Sequence, residues 1–189
     1  LYIFNNAYNS ALIFAHLFEK GMKYKNWIVW YKKDWFAPSK SKFVNNQEVI
    51  LFFTKSEKYT FNSEDIRTPY LSTERIKAAE EKGIIKNGKR WFPNPRGRLC
   101  SDVWEFSSVR HTKKINGKIV KTLHPTPKPE ALVERIILAS SNEGELVLDL
   151  FSGSGTTAYM AKRLNRHFIG CENNRDYFEY ILKRLSEEK

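Results

Sequence analysis

The 189-residue chain is predicted to fold as an α/β protein on a parallel sheet, and three observations lead there. Runs of β-branched and aromatic residues alternate with helix-period stretches at both ends of the chain. One strand-like run, Leu146–Leu150, passes through two closely spaced glycines straight into a helix-like run. With 41% hydrophobic and 14% aromatic residues, the chain has the apolar mass for one packed domain and is unlike a disordered segment.

Taken in order, Leu1–Phe4 is a short apolar strand, and Ser10–Glu19 is a helix that stops at Gly21. Trp27–Tyr31 and Glu48–Thr54 have the composition of buried strands. Residues 55–123 read as irregular, apart from a helix over Thr73–Lys82 closed by Gly83. Within them Trp91–Arg98 (WFPNPRGR) is dense in Pro, Gly and Arg and suits a surface loop. Pro129 fits the first turn of a helix reaching Ser140. A strand at Leu146–Leu150, a helix at Thr156–Leu164, a strand at His167–Cys171 and a helix at Tyr177–Leu185 complete the chain.

Charge separates these regions. Lys and Arg number 32 against 21 Asp and Glu, a net of +11. Residues 55–123 carry a net of +8 and residues 1–54 a net of +4, whereas residues 141–189 carry −1. Such asymmetry is the footprint of a polyanion-binding surface joined to a part with another task. No apolar run approaches the roughly 18 residues that span a bilayer, so no membrane partner is expected. Two cysteines, Cys100 and Cys171, make no disulfide framework, and no leader pattern opens the chain, so a reducing, cytoplasmic setting is expected. No His/Cys cluster has metal-ligand spacing, so no metal is expected.

The densest signal is Glu145–Ala158 (ELVLDLFSGSGTTA). Gly153 and Gly155 allow a tight turn and a close approach to a ligand, and the helix that follows turns free N–H groups towards it. Glu172 stands 19 residues beyond Gly153, after the next strand, where a carboxylate can accept from both hydroxyls of a ribose. An adenosine-containing cofactor fits this order. Read only as G-x-G-x-x-A it also admits NAD, or a strand–helix turn that binds nothing.

The wider run Asp149-Leu-Phe-Ser-Gly-Ser-Gly-Thr-Thr157 resembles the F-x-G-x-G motif of S-adenosylmethionine-dependent DNA amino-methyltransferases. His124-Pro-Thr-Pro-Lys-Pro129, beginning 25 residues earlier, resembles the H-P-T-x-K-P motif of the β-class enzymes, which modify adenine N6 or cytosine N4. Phe168-Ile-Gly-Cys-Glu172 with Tyr177 and Arg184, Trp30-Tyr-Lys32, Phe43, Glu48–Phe53 and Asp102-Val-Trp104 extend the resemblance over nearly the whole chain.

The resemblance implies a Rossmann-like methyltransferase sheet in three α/β/α layers and circularly permuted order. Residues 1–54 and 124–189 would form that domain, and 55–123 an inserted basic target-recognition region for duplex DNA. Phe151, Gly153 and Gly155 would hold the methionine side of S-adenosylmethionine, Glu172 its ribose, and Thr126 and Lys128 its amino-acid end. Asp149, Thr156 and His124 complete the implied cofactor set, His124 as a hydrogen-bonding residue leading into a helix. Phe43 would stack on a flipped base, and equally suits a core aromatic. Arg67, Arg90, Arg96 and Arg98 would meet phosphates or guanines, although for any one of them a solvated surface charge is the simpler reading. The C5-cytosine enzymes are rejected because neither cysteine follows a proline.

The family's Asp-Pro-Pro-Tyr tetrapeptide, which binds the target amine, is absent, and Arg67-Thr-Pro-Tyr70 falls in the wrong region. No catalytic residue is therefore assigned. The stretch that carries the tetrapeptide also supplies the strand between Leu1–Phe4 and Leu146–Leu150, so two open sheet edges are expected. The chain is expected to be incomplete as a catalytic unit, the remainder lying upstream, on a partner chain or in a homodimer, or being lost in a truncated remnant that binds without transferring a methyl group.

Overall fold

The structure is a computed structural model and describes every residue except 35–37, 111, 116–117, 122–123 and 188–189. In chain order its elements are β1 (Tyr2–Asn5), α1 (Ala7–Glu19), β2 (Lys23–Tyr31), β3 (Gln47–Thr54), α2 (Thr73–Lys82), β4 (Ile84–Lys86), β5 (Lys89–Trp91), β6 (Val103–Glu105), β7 (Thr112–Ile115), β8 (Lys118–Lys121), α3 (Glu130–Ser140), β9 (Leu146–Asp149), α4 (Thr156–Arg163), β10 (His167–Gly170) and α5 (Arg175–Ser186).

The larger sheet runs β1-β3-β2-β6, and β9 and β10 form a separate parallel pair. The expected all-parallel sheet is corrected here, because β3 is antiparallel to both of its neighbours. The connection explains this: α1 carries the chain from β1 across to β2, but no helix is assigned among the described residues between Tyr31 and Gln47, and β3 turns back and inserts between them.

Residues of β3 alternate between two cores. Val49, Leu51 and Phe53 meet Ile13, Phe14 and Leu17 of α1 on one face. Ile50 and Phe52 meet Ile28, Trp30, Leu132, Val133 and Ile137, with Met160 and Ala161 of α4, on the other. A strand buried on both faces reads as an unbroken apolar run, as this one does. Over β9 and β10 the layering is thinner. Leu146, Leu148, Leu150 and Ile169 are at least half exposed, so the three-layer expectation holds over the larger sheet and becomes two layers at the smaller.

Local chemistry sets the helix ends. α1 starts three residues earlier than the apolar pattern suggests because the Asn6 side chain caps it, accepting from the Asn9 N–H at 2.9 Å. Pro129 is the N-cap of α3 and not part of its first turn, since its ψ of 135° is extended. The 55–123 region holds more regular structure than its composition announces. α2 is followed by the β4–β5 hairpin, and β7 pairs with β8. β6 lies parallel to β2 as the outer strand of the main sheet.

Candidate functional site

The glycine loop lies between β9 and α4. Ser152 donates its N–H to the Cys171 carbonyl at 2.9 Å, so the loop is held against the end of β10. Gly153 and Gly155 have φ of +52° and +71°, the left-handed region that glycine tolerates best. A Cβ on Gly153 would lie 2.8 Å from His124 Nε2, and one on Gly155 would lie 2.7 Å from Ile181 Cγ1. Both glycines therefore make room for the protein's own side chains, a role the ligand-clearance argument did not anticipate. His124 is stacked edge-on against Tyr177 with ring centroids 4.9 Å apart, and its Nδ1 accepts the Thr126 N–H at 3.2 Å. Partial burial lowers the imidazole's pKa against the pull of Glu172.

Glu172 closes the loop. Its Oε2 accepts the Gly153 N–H at 2.7 Å and its Oε1 the Asn174 N–H at 2.9 Å. The Asn174 amide contributes most to holding this carboxyl below the usual glutamate range, with the Gly153 amide adding to it. Each oxygen keeps a further lone pair, so ribose hydroxyls would share a carboxylate that already fixes the loop.

Thr156 is buried. Its hydroxyl lies 3.0 Å from Ser154 Oγ and 3.3 Å from the Lys128 carbonyl, and it ties the start of α4 to the segment ahead of α3. Arg184 donates to the Ser154 carbonyl at 3.0 Å and to Glu130 at 2.6 Å, with its guanidinium 4.2 Å over the Tyr159 ring. It staples α5 beneath the loop.

A cavity of about 730 Å³ opens beside these groups, between β1 and β9. His124, Thr126, Lys128, Asp149, Phe151 and Thr156 line it, whereas Gly153, Gly155 and Glu172 do not. Phe151 is 89% exposed, and the Asp149 carboxylate accepts the Phe151 N–H at 3.0 Å. The opposite wall is β1, from Leu1 to Phe4. Among the described residues β1 ends the larger sheet and β9 pairs only with β10, so each presents an open edge, as expected from the sequence.

Lys128 stands 2.8 Å from Glu48 Oε1, and Lys32 reaches Glu48 Oε2 at 2.7 Å. The Lys128 ammonium also lies 5.2 Å over the Phe4 ring. Lys128 is thus held by a carboxylate and an aromatic ring. Burial disfavours the charged form of Glu48, but the two lysines outweigh it and bring its carboxyl below the ordinary value. Stability from a lowered carboxyl is complete above the unfolded glutamate value of about 4.3 and is lost as pH falls below it. Glu48→Gln should therefore flatten that acid limb in part. Urea midpoints of the variant and the parent from pH 7 to pH 3 measure it, and identical curves would remove Glu48 from the account. The sequence placed Glu48 at the head of a strand and in a family segment, without a partner for its charge. The available signal was a carboxylate abutting an apolar run, which must find a cation.

The basic region divides. Arg67 is half-buried and committed, bidentate to Glu64 and donating to the Gly97 carbonyl at 2.6 Å. Its guanidinium is thus engaged within the protein. Arg96 lies 3.4 Å from Asp65 at the surface, and Arg98 reaches the Pro69 carbonyl at 3.4 Å. Arg90 makes no hydrogen bond or ion pair to any described residue. Phe43 is 99% exposed, so the core-aromatic alternative is excluded. Trp91–Arg98 is not wholly superficial: Pro93 and Gly97 are buried, Gly97 against the Thr68 carbonyl. Among the described residues no group of three or more His, Cys, Asp or Glu could hold a metal ion, and no helix is long and apolar enough to cross a membrane.

Comparison with known proteins places this geometry. The family model described as "DNA methylase" matches residues 1–183. The chain is 60% identical over 188 residues to the Type II methyltransferase M1.MboII of Moraxella bovis, covering 98% of this chain and 72% of that protein. It is 36% identical over 188 residues to the DNA adenine methyltransferase YhdJ of Escherichia coli (strain K12), covering 98% of this chain but only 60% of that one. The crystal structure of the M1.HpyAVI–SAM complex superposes with a TM-score of 0.61 at 29% identity, over 97% of this chain and 73% of that one. A family match across nearly the full length, on a chain with this glycine loop and His124–Pro129 segment, means that the protein belongs to the DNA methylase family of adenine-N6 and cytosine-N4 amino-methyltransferases.

Proposed function

We propose that the protein is the cofactor-binding and DNA-binding part of a restriction–modification methyltransferase that methylates adenine N6 in duplex DNA, in the cytoplasm. The observation that carries this reading is the meeting of His124–Lys128 with the glycine loop at one cavity, where a cation, a carboxylate and an exposed aromatic stand within reach of a single ligand. When bound, S-adenosylmethionine supplies an electrophilic methyl group. Lys128 suits its carboxylate once shared with Glu48, Phe151 its apolar flank and Glu172 its ribose hydroxyls. Thr156 and His124 act by fixing the loop. Transfer to an aromatic amine needs positioning and no covalent nucleophile, in agreement with the absence of a reactive cysteine at the cavity.

In this reading 1–54 and 124–189 are the methyltransferase unit in permuted order, joined by β6, which extends its sheet from within 55–123, and the rest of 55–123 is the target-recognition region. The open edges of β1 and β9 across the cavity support a further strand in that gap, from an extended segment upstream or from another polypeptide. The adenine target is favoured by the name of the E. coli relative.

The test is incubation of the purified protein with methyl-labelled cofactor and duplex DNA, digestion to nucleosides and mass spectrometry. N6-methyladenine is the expected product. N4-methylcytosine would move the target. Binding of S-adenosylhomocysteine and DNA without product would make the chain a binding remnant, and binding of NADH in its place would overturn the cofactor.

A further inference from the structure

A stretch of the chain that is free of carboxylates and rich in cations forms a hairpin with no role in the cofactor site. From Gly83 to Ser101 there are five basic residues and no acidic one. The β4–β5 hairpin opens this stretch and forms a two-stranded sheet of its own. Asn87 and Gly88, with φ of +52° and +73°, make its two-residue turn, the left-handed pair that Asn-Gly favours. All three residues of β5 are exposed, and Ile85 is 71% exposed.

The register sets the cations around the tip. Lys86 pairs with Lys89 directly across the turn, and Ile85 pairs with Arg90 one step back, so Arg90 lies on the opposite face. Like charges facing each other across a hairpin are destabilising. None of the three cations has a hydrogen bond or ion pair to any described residue. A two-stranded hairpin is marginal by itself. This one is anchored at its base, where the aliphatic stem of Arg90 and the ring of Phe92 pack over the Cβ-less Gly83.

We infer that the β4–β5 hairpin enters a groove of duplex DNA, with Lys86, Lys89 and Arg90 on the phosphates that border it. The inference rests on the DNA methyltransferase reading and names the element that makes the contact. A major groove about 12 Å wide admits a two-stranded ribbon, and cations on both faces near its tip meet phosphates of both strands. Arg67, Arg96 and Arg98, by contrast, are engaged within the protein.

The experiment is fluorescence anisotropy of a labelled duplex against the purified protein over a range of salt concentrations. The same titration is made with Lys86→Ala, Lys89→Ala, Arg90→Gln, which removes the charge but keeps the stem that packs over Gly83, and the triple variant. Each single change is expected to lower the slope of log affinity against log salt by about one, and the triple to weaken binding on the order of 10²-fold at 0.1 M salt. The thermal midpoint and the affinity for S-adenosylhomocysteine should stay at parental values. A triple variant with the parental slope and affinity would overturn the hairpin assignment while leaving the functional reading intact. Loss of cofactor affinity along with DNA affinity would make the hairpin structural and also overturn it. Absence of salt-dependent DNA binding by the parent protein would overturn both.

Discussion

Alanine at Gly155 is expected to cost the protein about 2–5 kcal/mol of stability, from two separable causes. Gly155 caps α4 with φ of +71°, and a left-handed backbone costs a residue with a Cβ about 1–2 kcal/mol. The new Cβ would also lie 2.7 Å from Ile181 Cγ1 and 3.1 Å from Cγ2. Ile181 is buried beneath the loop, and forced overpacking of that kind costs roughly 1–3 kcal/mol. Urea unfolding measures the sum, and a cycle with Ile181→Ala, which removes both Cγ atoms, separates the terms. The trimmed isoleucine should recover part of the steric cost and none of the backbone cost. A Gly155→Ala protein within about 0.5 kcal/mol of the parent would refute the packing role assigned to this glycine.

Glutamine at Glu172 should leave the fold largely in place and weaken S-adenosylhomocysteine binding by about 10- to 100-fold. The carboxylate accepts two backbone N–H groups at once, from Gly153 and Asn174. An amide has one acceptor oxygen, so one of those N–H groups would face an NH₂, and the charge is lost for the ribose hydroxyls too. Calorimetric titration measures the affinity. The pH dependence has a defined sign: the folded carboxyl is lowered, so in the parent the carboxylate persists at and somewhat below the ordinary value of about 4.3 before binding weakens. The glutamine variant should lack that acid-side loss. Parental affinity in Glu172→Gln would remove the residue from the binding site.

The two variants probe one loop through different physics, and the loop shows where sequence reading stopped. Strand, glycines, helix and a carboxylate 19 residues on were all legible as a pattern. The cause inferred for the glycines was clearance for a ligand. Folding instead brings His124 from another segment and Ile181 from the last helix against them, a juxtaposition that spacing along the chain does not encode. Arg67 is a similar case. Its type suggested a phosphate contact, but Glu64 three residues away and the carbonyl of Gly97 engage it within the protein.

Pattern and composition were sufficient wherever a property is local or periodic. The unbroken apolar run of β3 announces burial on two faces, Gly83 closes α2, and the glycine loop follows β9 directly. The motifs carried family membership, because their order along the chain is itself the signal. Folding was needed for everything that depends on which distant segments meet. It turned β3 antiparallel, joined Glu48 to Lys128 across 80 residues and left β1 and β9 facing each other over an open cavity. The physical reason is common to all three. Hydrogen-bonding edges and charges are satisfied by whatever the fold places within about 3 Å, and the linear sequence states only which groups will need a partner.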